Sequence, residues 1–95
     1  MSEKAIIISS LPALGRAIAS YRRAAGYTQR ELSAAVGVSR VWIGELERGQ
    51  LANPGFDRLL AIFNVLQIRF EIVPASDDPR SGLADFLIEK RQSYD

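Results

Sequence analysis

From residue 11 to residue 66 the apolar positions recur at steps of three and four, the spacing that places them along one face of an α-helix. Leu11, Leu14, Ile18, Tyr21 and Ala25 mark a first helix. Ser9 or Ser10 stands where a side-chain oxygen caps the free amides, Pro12 is tolerated in the opening turn, and Gly26 ends the helix. Thr28-Gln29-Arg30-Glu31 has capping-box spacing, so a second helix starts there, with Leu32, Ala35 and Val36 on its buried side. Gly37 breaks it and Val38 turns inward. Ser39 caps a third helix from Arg40 to about Arg48, with Ile43 and Leu46 inward and Gly49 closing it. Asn53-Pro54 supplies the cap and first residue of a fourth helix. Its core face is Phe56, Leu59, Leu60, Phe63 and Leu66, and it ends near Gln67.

At Ile68 the period changes to two. Ile68-Arg69-Phe70-Glu71-Ile72-Val73 alternates apolar and polar side chains, the pattern of a half-buried strand, and Pro74 stops it. Ala5-Ile6-Ile7-Ile8 is also β-prone and reads as an extended arm. Residues 75–82 form a polar linker, after which Leu83, Phe86, Leu87 and Lys90 outline a short last helix over 83–91. The expected organisation is an arm at 1–10, a helical domain at 11–67, a strand at 68–74 and a tail at 75–95. The expected fold class is all-α, a bundle of four to five helices plus one C-terminal strand.

Composition narrows the chemistry. A chain of 95 residues builds one compact domain. It holds no histidine and no cysteine, so disulfides are excluded and both common zinc ligands and the commonest general base are missing. No nucleophile–base pair, metal cluster or phosphate-cradling glycine loop stands out, so neither an enzyme nor a cofactor or metal is expected. No apolar run has the length of a membrane span or a signal-peptide core, which makes the cytoplasm the expected compartment. The net charge is only +1, but it is unevenly spread. Residues 11–50 carry six arginines (Arg16, Arg22, Arg23, Arg30, Arg40 and Arg48) against three glutamates (Glu31, Glu45 and Glu47), a net of +3. Residues 68–95 carry four basic against six acidic side chains, a net of −2. A basic front part suits phosphates. The acidic tail either docks a basic partner surface or serves as a solubilising end.

The informative stretch is Thr28 to Gly49. Two short helices, each opened by a capping hydroxyl and joined by a tight turn at Gly37, form a helix-turn-helix layout, in which the second helix enters the DNA major groove. Ala34 and Ala35 are small enough for the two helices to approach closely. Gly26 to Gly49 resembles the XRE group of repressors, the phage repressor and Cro type. Its Thr-Gln, Glu-Leu, Gly-Val-Ser and Leu-Glu-Arg-Gly steps fall at that group's spacing. The likeness runs from about Leu11 to Leu66 and implies a lambda-repressor-like bundle. Within the group the chain looks most like the HipB-type antitoxins, because a single strand follows directly after Leu66-Gln67. That likeness implies repression of the protein's own operon and binding of a HipA-like Ser/Thr kinase toxin. The tail after Ser76 departs from the pattern.

Geometry and resemblance together distribute the roles. Ser39, Arg40, Val41, Gly44 and Glu45 are expected on the outward face of the recognition helix. Arg40 is the chief base reader, since its fork spans guanine O6 and N7. Val41 suits a thymine methyl group, and Glu45 either accepts from a cytosine amino group or orients Arg40. The resemblance implies a phosphate contact at Gln29, next to Thr28, where helix-start amides also favour an anion. It places Arg48, Gln50 and Asn53 in a loop approaching the sugar-phosphate chain. Trp42 either wedges between the second and third helices or rests against the DNA backbone. A mostly buried structural ion pair between Arg22 and Glu47 is likewise implied by the resemblance.

A lone strand leaves unpaired donors and acceptors on both edges. Pairing with the same strand of a second copy satisfies one edge, with Ile68, Phe70 and Ile72 toward the core and Arg69 of one copy near Glu71 of the other. Pairing with the arm inside one chain is the alternative. A two-fold dimer sets two recognition helices about 34 Å apart, on an inverted-repeat operator in double-stranded DNA. The expected function is a homodimeric sequence-specific repressor acting as an antitoxin. The other readings are a stand-alone regulator and a protein-interaction module built on the same fold.

Overall fold

Four helices make up the computed structural model, which describes residues 5–74: α1 (Leu11–Ala24), α2 (Gln29–Val36), α3 (Arg40–Glu47) and α4 (Phe56–Leu66). The first three begin as their sequences dictate. The Ser10 hydroxyl accepts from the Ala13 amide (3.2 Å), the Thr28 hydroxyl from Glu31 (3.0 Å), and the Ser39 hydroxyl from Trp42 (3.0 Å). Each such cap contributes about 1 kcal/mol. Ile18, Leu32, Ile43, Leu46 and Ile62 are fully buried, and Leu59 and Phe63 complete the core. Each of these side chains contributes roughly 1.5–3 kcal/mol by leaving water. Val38 packs against this core from the α2–α3 turn, as its position after Gly37 predicts.

Several faces differ from the sequence pattern. On α1 the buried stripe is Gly15, Ile18, Ala19 and Arg22, while Tyr21 and Ala25 are exposed. The reason is distance, not hydrophobicity. A Cβ on Gly15 would overlap the Leu46 carbonyl oxygen and lie 3.2 Å from the Glu47 Cα. The α3 backbone therefore rests directly on α1, and the helix turns its smallest residues toward that contact. On α2, Ala34 and Ala35 both face solvent. The small residue turned inward is Ser33, whose hydroxyl donates to the Arg30 carbonyl (2.8 Å) and so is buried at little cost.

The start of α4 also moves. Its N-cap is Gly55, with φ at +87°, and no side chain caps it. Pro54 is buried instead of opening the helix, and Asn53 is exposed in the preceding loop. The core face of α4 runs through Leu59, Ile62 and Phe63, with Phe56 53% and Leu60 38% exposed. The helix ends at Leu66, and Gln67 takes the left-handed conformation that lets the Ile68 amide reach back to the Phe63 carbonyl (2.8 Å).

Among the described residues no strand ladder forms. Ile68 packs against the core, and the Phe70 ring stacks on Phe63 (centroids 6.1 Å apart) and meets Phe56 edge-on (5.5 Å). Ile72 and Val73 are 83% and 71% exposed. Ile6, Ile7 and Ile8 of the arm are also exposed. The expected linker at 75–82 and helix at 83–91 lie outside the described residues.

The Gly15 contact yields a test. Gly15→Ala raises intrinsic helix propensity yet forces backbone apart, so a net loss of about 1–3 kcal/mol is expected. For a domain of this size that lowers Tm by roughly 4–8 °C per kcal/mol. Ser20→Ala, exposed on the same helix, is expected to change stability by less than about 0.5 kcal/mol. A thermal melt of Gly15→Ala matching the parent would rule out the close α1–α3 approach.

Candidate nucleic-acid interface

The interface is built from the two caps and the turn between them. Thr28 and Glu31 form a closed capping box, the Thr28 amide donating to Glu31 Oε1 (2.8 Å) in return for the hydroxyl contact. Gly37 leaves α2 at φ +89°, a conformation that costs other L-residues energy, and its amide donates to the Ser33 carbonyl (2.8 Å). Ser39 then starts α3 two residues later. The Thr28 and Ser39 hydroxyls are thus occupied as caps and set where each helix begins and points.

Behind the turn lies a hydrogen-bonded chain of side chains. Arg22 Nε donates to Glu47 Oε2 (2.6 Å) and Arg22 Nη2 to Glu47 Oε1 (3.1 Å), a bidentate pair with side chains 9% and 6% exposed. Arg22 Nη1 donates to the Tyr27 carbonyl (2.8 Å), which ties the α1–α2 loop to the same guanidinium. Gln29 Nε2 donates to Glu47 Oε1 (2.9 Å), and Arg40 Nη1 donates to Gln29 Oε1 (2.8 Å). The ion pair implied by the resemblance is therefore present, and it continues through Gln29 to the first residue of α3. Among the described residues no buried side-chain nitrogen or oxygen lacks a partner.

The other predicted residues divide. Arg40 is exposed and Val41 is 56% exposed, both on the accessible start of α3. Glu45 is half-buried, and the side chain that holds Arg40 is Gln29. Gly44, expected on the outward face, is buried: the Arg48 guanidinium lies across it, 3.1 Å from where a Cβ would stand. Arg48 Nε also donates to Gln50 Oε1 (3.2 Å), so these two side chains form one exposed unit in the loop after α3. Trp42 is half-buried against the core, and its outer face is covered by the Arg58 guanidinium of α4, 5.5 Å from the ring centroid. A cation on an indole face is worth about 0.5–1 kcal/mol at such a site. Arg69 and Glu71 share one face of their segment, and here Arg69 lies 3.8 Å from Glu71 of its own chain. Arg58, Gly15 and Ser33 carry no local motif, and the sequence pattern does not single them out.

Four helices with a capped turn between α2 and α3 define a helix-turn-helix protein. The helix-turn-helix model HTH_3 matches residues 18–73, and the chain belongs to this family, of the XRE type, whose fold is that of DNA-binding transcription regulators. The chain is similar to C.AhdI, the restriction-modification controller protein from Aeromonas hydrophila, at 30% identity and a TM-score of 0.59, covering 62% of this chain and 84% of that one. It is similar to ClgR, the clp gene regulator from Corynebacterium glutamicum, at 32% identity and a TM-score of 0.56, covering 88% and 91%. HipB in the HipA-HipB-O2-O3 complex shares the fold at 22% identity and a TM-score of 0.66, covering 75% of this chain and 99% of that one. No curated protein matches the chain. The family and these neighbours are DNA-binding regulators, not enzymes. Among the described residues no helix is long and apolar enough to cross a membrane.

The buried pair sets the stability test. Arg22→Ala strands the Glu47 carboxylate and is expected to cost about 3–5 kcal/mol, read from the urea midpoint. Replacing both residues, Arg22→Met with Glu47→Leu, is expected to cost far less, since no charge is left buried. An Arg22→Ala midpoint equal to the parent's would refute this role.

Proposed function

We propose that this chain is a sequence-specific repressor that binds an inverted-repeat operator in double-stranded DNA as a homodimer. The observation that carries this reading is the placement of Arg40. It is the first residue of α3, exposed, and held through Nη1 alone, with Nε and Nη2 free of hydrogen bonds among the described residues. A guanidinium presented in this way offers a donor fork to guanine O6 and N7. Val41 beside it suits a thymine methyl group, and Glu45 a cytosine amino group. Arg48, Gln50 and Asn53 in the following loop suit phosphate and sugar, which fix register without reading sequence.

The second copy belongs on the segment at 68–73. Its backbone groups need a partner strand, and pairing with its two-fold mate supplies one. Because Phe70 meets Phe56, the exposed apolar row of α4 continues into this segment, and a second copy would cover both. The finer role we infer is that of an antitoxin in a HipBA-type operon, neutralising a HipA-like Ser/Thr kinase. What supports it is the layout, a bundle of HipB's fold followed at once by one alternating segment. A stand-alone regulator is the second reading, favoured by the higher identity to C.AhdI and ClgR. Co-purification with a kinase encoded beside this gene supports the antitoxin role. Operator binding with no kinase encoded nearby supports the stand-alone role.

Selection from a random duplex pool tests DNA reading directly. The parent is expected to enrich an inverted repeat, with an affinity that falls steeply as salt rises. Arg40→Ala is expected to lower affinity for that site roughly 5- to 100-fold. No preference for any duplex at low ionic strength would end the repressor reading. For the dimer, Phe70→Asp buries a charge at the proposed interface and is expected to give monomers in sedimentation velocity at concentrations where the parent is dimeric. A dimeric Phe70→Asp protein would remove this segment from the interface.

A further inference from the structure

Gln29 sits between the buried ion pair and the exposed Arg40, and both ends of its amide are engaged. Glu47 is a carboxylate, which only accepts hydrogen bonds, so the end of Gln29 that faces it must be the NH2 group. The carbonyl oxygen then points the opposite way, toward α3, where it accepts from Arg40 Nη1. Glu47 is itself held by two hydrogen bonds from Arg22, with both side chains buried. The direction of an exposed guanidinium is thus fixed, through one amide, by a rigid charge inside the protein.

We propose that Gln29 is a positioning residue for base reading, and that Glu47 acts through it to set the guanine preference of Arg40. The inference rests on the DNA-binding reading above and deepens it. It also reassigns Gln29, which the resemblance casts as a phosphate contact. With its oxygen on Arg40 and one amide proton on Glu47, a single proton remains for a phosphate. What the geometry favours is orientation: an arginine on a solvated surface samples many rotamers, and fixing it before binding avoids losing that freedom at the groove. With Nη1 engaged, Nε and Nη2 form the side-on fork left for guanine O6 and N7.

The two roles separate in a salt titration. The site selected by the parent is compared with the same duplex carrying adenine in place of the guanine assigned to Arg40. Binding is followed by fluorescence anisotropy at several salt concentrations. Gln29→Met keeps the length and removes both hydrogen bonds. It is expected to lower the guanine-to-adenine affinity ratio about tenfold while the slope of log affinity against log salt stays at the parent value. Gln29→Glu keeps an acceptor for Arg40 but cannot donate to Glu47. It is expected to lose the same ratio, because the carboxylate swings away from Glu47. Melting curves of both variants within a few degrees of the parent are expected, since Arg22 still holds Glu47.

A uniform loss on both duplexes, with the salt slope reduced by about one, would make Gln29 a phosphate contact and overturn the proposal. An unchanged ratio in Gln29→Met would overturn it as well. A full ratio retained by Gln29→Glu would overturn the part assigned to Glu47. A parent protein that selects no site removes the DNA reading itself, an outcome distinct from all of these.

Discussion

Everything that faces outward on α3 is referred back to the Arg22–Glu47 pair. Burying two charges costs several kcal/mol per ion after relaxation, and only good geometry with further hydrogen bonds offsets it. Here the geometry is bidentate, and the remaining donor of Arg22 is satisfied by the Tyr27 carbonyl. One guanidinium therefore joins α1, the α1–α2 loop and α3. Two turns earlier on α1, Gly15 lets the α3 backbone settle directly onto the helix. A contact at Gly15 and a charge pair at Arg22 are two points on one line, and together they fix how α3 crosses α1. Apolar packing alone leaves such a crossing freer, because hydrophobic burial is not directional.

This support matters because α3 is short. Eight residues do not form a stable helix in water on propensity alone, where about 12–15 are marginal. The helix exists because Ser39 caps it, Ile43 and Leu46 bury its inner side, and Glu47 is anchored at its far end. Its outer side is then free to carry side chains that contribute nothing to folding, such as Arg40 and Val41. The division is spatially sharp: stabilising groups lie at the cap, the inner face and the last residue, and reading groups at the first accessible turn. Trp42 lies on the border, with one face on the core and the other under Arg58.

The parts legible in the sequence are those set by local chemistry. Caps at Ser10, Thr28 and Ser39 follow from residues three positions apart, and the observed helices begin where those hydroxyls place them. The helix-turn-helix layout follows from the same caps and Gly37. What escaped depends on distance between segments. Counting apolar steps along α1 selects Tyr21 and Ala25, but the packed face is chosen by how near α3 comes, which favours Gly15 and Ala19. The Asn53-Pro54 pair has the form of a helix start, yet Pro54 is drawn into the protein and the helix waits for Gly55. The link from Gln29 to Glu47 spans 18 residues, and Arg58 reaches Trp42 from another helix. No local pattern encodes either.

The segment after α4 shows the limit of what one chain can satisfy. Its first half is answered within the chain: Ile68 meets the core and Phe70 lies along the Phe56–Phe63 row. Its second half is not, since Ile72 and Val73 are apolar, β-branched and almost wholly in water. Alternation continues across both halves, so the side-chain pattern is that of one strand whose buried face outruns the surface α4 provides. Exposed apolar area of this kind is unfavourable in a monomer and becomes favourable only against matching surface. Symmetry makes a second copy the simplest source of such surface, because the same segment then completes itself on both sides. The distance between two α3 helices would in that case be set by a rigid path, from the strand through α4 and the core to the Arg22–Glu47 pair. The groove-reading end and the self-associating end would then be coupled through the same buried charge.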